Sequence, residues 1–137
     1  TFIPNQDKNK KFYDGKTLQE LSTLKKLPNY SYPTLINRSA MIDTIWFNER
    51  KMPHSFFEIE HSTDIQNSLL KFNDLQDFYV RMAIVADAKR KSEFETKLSY
   101  HAFDELRLNK RVSFLSYEAL VKQYEMEIEK QSLDFIL

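Results

Sequence analysis

The sequence predicts an α/β domain, a mixed central sheet flanked by helices on both faces. Three observations lead there. Short β-branched and aromatic runs alternate with longer stretches of helical periodicity. The first two such runs, Met41 to Phe47 and Phe56 to His61, are separated by the turn-rich segment NERKMP at 48–53, which suits a hairpin. A later run, YVRMAIV at 79–85, is apolar on both faces, as an inner strand is. An antiparallel hairpin followed by strand–helix–strand alternation makes the sheet mixed and places helices on its two faces.

With 137 residues, 42% hydrophobic and 29% charged, the chain is sized and composed for one globular domain with a real core. The expected organisation is a single domain over 1–137, opening with an irregular arm at 1–15. The chain begins at Thr1, which suggests a piece excised from a longer protein. No apolar run approaches the roughly 20 residues that a bilayer span needs, and no signal peptide is visible, so no membrane is expected. The absence of cysteine removes disulfides and thiol nucleophiles and fits a reducing, cytoplasmic setting. Zero formal net charge means that any attraction to nucleic acid is local.

In order, the arm holds Phe2-Ile3-Pro4 and Phe12-Tyr13 as apolar anchors and a KNKK cluster at 8–11, a phosphate contact or a solvated loop. Thr17 to Leu27 is predicted helical: Thr17 and Glu20 have capping-box spacing, and Leu18, Leu21 and Leu24 share a face. Pro28 to Pro33 ends it, and 34–40 adds a further helical turn. A helix over 63–78 follows the hairpin, with Thr63 as N-cap, Gln66 three places on, and Ile65, Leu69 and Phe72 facing inward. Asp87 caps a helix whose polar face carries Lys89, Arg90 and Lys91; Phe103 and Leu106 suggest a short helix. Arg111 to Ser116 forms the last strand, and Ser116 caps a helix from Tyr117 to Lys130 with Leu120, Val121, Tyr124 and Ile128 as its inner stripe.

The chemistry gathers on the hairpin. Asp43 lies in the first apolar run, and the period of two puts Glu58 and Glu60 on one face of the second, opposite Phe57, Ile59 and His61. Acids inside such apolar strands are costly to bury, so three of them on adjacent strands suggest a cation site. The plainer alternative makes Asp43 an edge-strand acid and Glu58 and Glu60 the solvent face of an amphipathic strand. Clustered carboxylates without a cation repel, which raises the pKa of at least one. His54 and His101 lack acidic or cysteine partners at zinc spacing, and one glycine cannot build a phosphate loop.

A helix with Glu20, a strand with Asp43, a strand with Glu58-x-Glu60, a helix with Gln66 and a closing strand come in the order used by PD-(D/E)XK nucleases. From Lys16 to Glu118 the chain resembles this restriction-endonuclease-like superfamily. The resemblance places Asp43 at the motif's first acid and Glu58 at its second, with Glu60 where lysine is usual and Ile42 where proline precedes the aspartate. Some restriction enzymes are similar in carrying glutamate there. It can act as a general base but supplies no positive charge, and Lys71, on the next helix, is a candidate substitute.

The resemblance implies a metal-dependent endonuclease domain hydrolysing DNA. Mg2+, with Mn2+ as an alternative, would be held by Asp43, Glu58 and the Ile59 carbonyl; Glu60 and Gln66 would assist, and Lys89, Arg90 and Lys91 would meet phosphates. A homodimer is expected because two strands need two sites, with target choice in an additional DNA-recognition domain. Two alternatives remain open: the same fold without cleavage, for nucleic-acid binding or docking, and a protein-interaction domain. Glu20 and Gln66 each have a second reading as capping-box partners of Thr17 and Thr63.

Overall fold

In this computed structural model, residues 1–4, 9 and 17–136 are described; the lysines of the KNKK cluster and Phe12-Tyr13 lie outside them. Strands β1 (Thr44–Phe47), β2 (Pro53–Ile59), β3 (Arg81–Ala86) and β4 (Val112–Ser116) form one sheet in that spatial order. β1 runs antiparallel to β2, and β2, β3 and β4 are mutually parallel, so the sheet is mixed.

The hairpin turn builds itself from Asn48. Its side-chain oxygen accepts from the backbone N–H groups of Arg50 (2.9 Å) and Met52 (3.1 Å), and Lys51 takes a positive φ of 61° to close the reversal. The register pairs Thr44 with Phe57 and slips at Trp46/Phe47, a bulge beside the turn.

Helices α3 (Ile65–Asp74), α4 (Lys91–Leu98) and α5 (Asp104–Leu108) cross between the parallel strands. The main core combines Ile45, Phe56, Met82 and Ile84 of the sheet with Ile65, Leu69 and Phe72 of α3, Phe94 of α4 and Leu106 of α5. The alternate residues Phe57, Ala83, Val85 and Leu115 meet Tyr117, Ala119 and Leu120 of α6 (Tyr117–Ile136) on the other face. Successive crossovers in one direction place their helices together, and the closing helix covers the opposite side.

Several boundaries differ from the sequence expectation. The helix expected over 17–27 is only α1 (Leu18–Leu21). Its capping box forms, Thr17 N–H to Glu20 Oε2 at 3.2 Å and Glu20 N–H to Thr17 Oγ1 at 3.4 Å. Beyond it, Thr23 and Leu24 donate their N–H groups to the Thr1 carbonyl, and Leu24 bridges Phe2. Partners from the chain's first residues thus displace further helix, and Phe2, bridged also to Ile45, lies alongside β1. Helix α2 is Pro33–Ser39. The strand expected from Met41 begins at Thr44, which leaves Asp43 in the bend before it.

The N-cap of α3 is Asp64, accepting from Gln66 N–H at 2.9 Å, rather than Thr63, whose carbonyl is taken by Arg90 at 2.6 Å. An ionised cap also suits the positive end of the helix. Asp87 caps a short 3-10 turn (Ala88–Arg90) leading into α4. On α6, Ser116 Oγ caps through the Ala119 N–H (3.1 Å), but the expected inner stripe is mostly outside. Leu120 packs on the sheet, whereas Val121, Tyr124 and Ile128 are 53%, 67% and 45% exposed. The helix meets chiefly β3 and β4, at its start, and then runs past the sheet.

Phe72 is fully buried at the centre of the α3–sheet contact. Phe72→Ala is expected to destabilise by about 3–5 kcal/mol, read as a lowered urea midpoint; a loss under about 1 kcal/mol would contradict this packing.

Candidate functional site

Continuing the hairpin register one step sets Asp43 opposite Glu58, and backbone contacts hold it there. The Asp43 N–H donates to Glu58 Oε1 (3.3 Å), and Asp43 Oδ2 accepts from the Ile59 N–H (2.8 Å). Alternation along β2 turns Glu58 and, just past the strand, Glu60 toward α3. They are only 1% and 5% exposed, so the solvent-face alternative does not hold for them.

Helix α3 presents Ser68 and Lys71 to these glutamates, three residues apart and therefore on one face. Ser68 Oγ donates to Glu60 Oε1 and lies 3.4 Å from Glu58 Oε2. The Lys71 ammonium donates to both Glu58 oxygens at 3.2 Å and to the Met41 carbonyl at 3.1 Å. Among the described residues, the buried Glu60 Oε2 has no hydrogen-bond partner.

Asp43, Glu58, Glu60 and Lys71 line a single cleft of about 730 Å³, with His61 and Asn67 also on its wall. His61, which strand alternation sets opposite Glu58 and Glu60, is exposed, its Nδ1 3.4 Å from the Tyr117 hydroxyl. Gln66 stands apart from this wall: its side-chain oxygen accepts from Lys97 of α4 at 3.3 Å. Of the basic trio, Lys89 and Lys91 are exposed, but Arg90 is occupied. It donates to the Glu60 and Thr63 carbonyls (2.9 and 2.6 Å) and pairs with Glu93 at 3.0 Å, tying the end of β2 to α4. Among the described residues, no group of three or more His, Cys, Asp or Glu side chains is arranged to hold a metal ion.

Residues 1–136 match the family described as the type II restriction enzyme NmeDI C-terminal domain. The chain belongs to this family. It is thereby a restriction-enzyme domain. No curated protein and no solved structure gives a significant match. No helix among the described residues is long and apolar enough to cross a membrane.

The electrostatics of this restriction-enzyme domain centre on Glu58. Burial, and secondarily the Asp43 charge, push its carboxyl up to about 8, although Lys71 pulls the other way. Burial also raises Glu60, against the Ser68 hydrogen bond. The expectation of a raised carboxylate rested on mutual repulsion; removal from water is the larger cause. Near neutrality Glu58 can therefore hold a proton and release it when a positive charge enters.

Sequence reasoning undervalued Lys71 and missed Ser68. A signal existed: Ile65, Leu69 and Phe72 define the buried stripe, and Ser68 is a polar residue at an inward position of it.

A carboxyl whose folded pKa lies above its unfolded value favours the folded state at low pH, and that advantage is lost as pH climbs toward the folded value. With Glu58 near 8 against an ordinary 4.5, melting temperature without divalent ions should fall across that interval. In Glu58→Gln the fall should be shallower, leaving only the smaller contribution of Glu60. Identical slopes in a thermal-melt series would refute the assignment.

Proposed function

We propose that this chain is the cleavage domain of a restriction enzyme, a metal-dependent endonuclease domain that hydrolyses DNA phosphodiester bonds. The observation that carries the reading is the convergence of Asp43, Glu58, Glu60 and Lys71 on one cleft. Membership of a restriction-enzyme family supports DNA as the substrate. The reading is that of a PD-(D/E)XK variant in which glutamate replaces the motif lysine and Lys71 provides the charge from the neighbouring helix.

The donors suit Mg2+ or Mn2+. Such hard cations take oxygen ligands, and Mg2+ commonly uses one or two carboxylates completed by water and substrate phosphate. Asp43 and Glu58 would hold the ion with the Ile59 carbonyl, and the unpartnered Glu60 Oε2 is the kind of buried atom that wants a cation or water beside it. A bound ion would lower the pKa of a water and neutralise charge on the phosphate. Glu60 accepts the proton of the attacking water through its free oxygen, while Ser68 fixes the other. Lys71 orients Glu58 and places positive charge where negative charge builds on the phosphate. Exposed Lys89 and Lys91 would contact the flanking backbone without reading sequence. Two such domains would serve the two strands as a homodimer, and a separate domain would choose the target.

Assay of plasmid nicking by the full-length enzyme tests this. Nicking should require Mg2+ or Mn2+, stop with EDTA, disappear in Asp43→Ala and Glu58→Ala, and fall about 10²–10³-fold in Lys71→Met. DNA binding without nicking by the parent would favour the non-cutting fold instead. Millimolar Mg2+, Mn2+ or Ca2+ should also raise the melting temperature of the parent but not of the Asp43→Ala, Glu58→Ala double variant; an unchanged parent would rule out the metal site.

A further inference from the structure

Lys71 is fully occupied where it stands. Its ammonium gives its donors to both Glu58 oxygens at 3.2 Å and to the Met41 carbonyl at 3.1 Å, which leaves none to meet a phosphate. Glu58 is equally full. A carboxylate offers about four acceptor sites, and both oxygens accept from Lys71. In addition, Oε1 accepts from the Asp43 N–H at 3.3 Å, and Ser68 Oγ lies 3.4 Å from Oε2. The ammonium, equally distant from the two oxygens, stands where a cation shared by both would stand. Glu58 therefore already holds a cation, and that cation is the chain's own. This accounts for the described acids not being grouped around a metal position.

The seat is one that the lysine can leave. Its side chain is 33% exposed against 1% for Glu58, and both line the same cleft, so the way out is open on the lysine's side only. The lysine stem is flexible, and its ammonium is a compact charge that water solvates strongly. Glu58 stays behind, held by the backbone of Asp43. A divalent ion would bring a second positive charge to the same carboxylate, and like charges that close repel.

We infer that Lys71 is an exchangeable counter-ion: Glu58 gives up the ammonium on taking a divalent cation, and the freed lysine turns its donors to a DNA phosphate. The inference rests on the metal-dependent reading above and adds a switch to it. Without the ion, Lys71 closes the site, because it fills the cation's place and has no donor to spare for substrate.

Pulsed acetylation of lysines in the full-length protein, in mildly alkaline buffer without DNA and read by mass spectrometry, tests this. Relative to exposed Lys89, Lys71 should label slowly in EDTA and about fivefold or more faster in saturating Mg2+. Glu58→Gln loosens the same contact without an ion, so Lys71 should label at the fast rate in that variant with and without Mg2+. Lys71→Arg gives a second readout. A guanidinium grips a carboxylate through two parallel hydrogen bonds, so calorimetry should show weaker Mg2+ binding than in the parent. Circular dichroism should report an intact fold in both variants. Equal or tighter Mg2+ binding by Lys71→Arg would overturn the exchange. So would unchanged Lys71 labelling at Mg2+ concentrations that raise the melting temperature, a result that would leave the metal site itself standing. Loss of both the melting shift and the labelling change would overturn the exchange and the metal-dependent reading together.

Discussion

Two glutamates on the buried side of one strand are the constraint around which this fold is arranged. Glu58 and Glu60 face α3, where an apolar pair would pack without any penalty, and both are almost completely removed from water. The helix answers with Ser68 and Lys71, so the register of α3 against β2 is specified by polar groups as well as by Ile65, Leu69 and Phe72. An ion pair in which only the carboxylate is buried, its lysine being 33% exposed, is weak evidence of stabilisation, since a hydrophobic replacement is often neutral or better. The residual burden shows in the elevated carboxyls and in the unpartnered Glu60 oxygen. A domain that retains such a cluster is not arranged for maximum stability at that point, and the proposed cleavage chemistry would account for its retention.

Placement follows from topology. Glu58 and Glu60 lie at the carboxyl end of a parallel strand, the end at which open α/β sheets gather their ligands. The hairpin brings Asp43 in from the other side through its antiparallel register, and the β2–α3 connection carries Ser68 and Lys71 over the top. Arg90 then pins the loop after Glu60 by two carbonyls, fixing the rim of the cleft. Its role is thus architectural, while Lys89 and Lys91 beside it are exposed.

Much of this was legible along the chain. The four strands, the helices between them and the mixed sheet followed from apolar periodicity and turn chemistry, because both are local. The sharing of one face by Glu58 and Glu60 followed from strand alternation alone. What misled was equally local. A sound capping box at Thr17 and Glu20 suggested a long helix, but Thr1 takes the hydrogen bonds that would have extended the structure. The apolar stripe on α6 has the spacing of an inward face, but its sheet ends before the helix does.

By itself, then, the sequence determined the order and type of the elements and the face on which each acid lies, since side-chain period is a property of the backbone. Only the tertiary structure decided that Lys71 reaches Glu58 rather than solvent, that Gln66 turns to Lys97 and Arg90 to backbone carbonyls, and that Val121, Tyr124 and Ile128 of α6 face outward. Those outcomes depend on how elements far apart in sequence are set against one another. A helix's periodicity says which residues share a face; the neighbour it packs on says what that face meets.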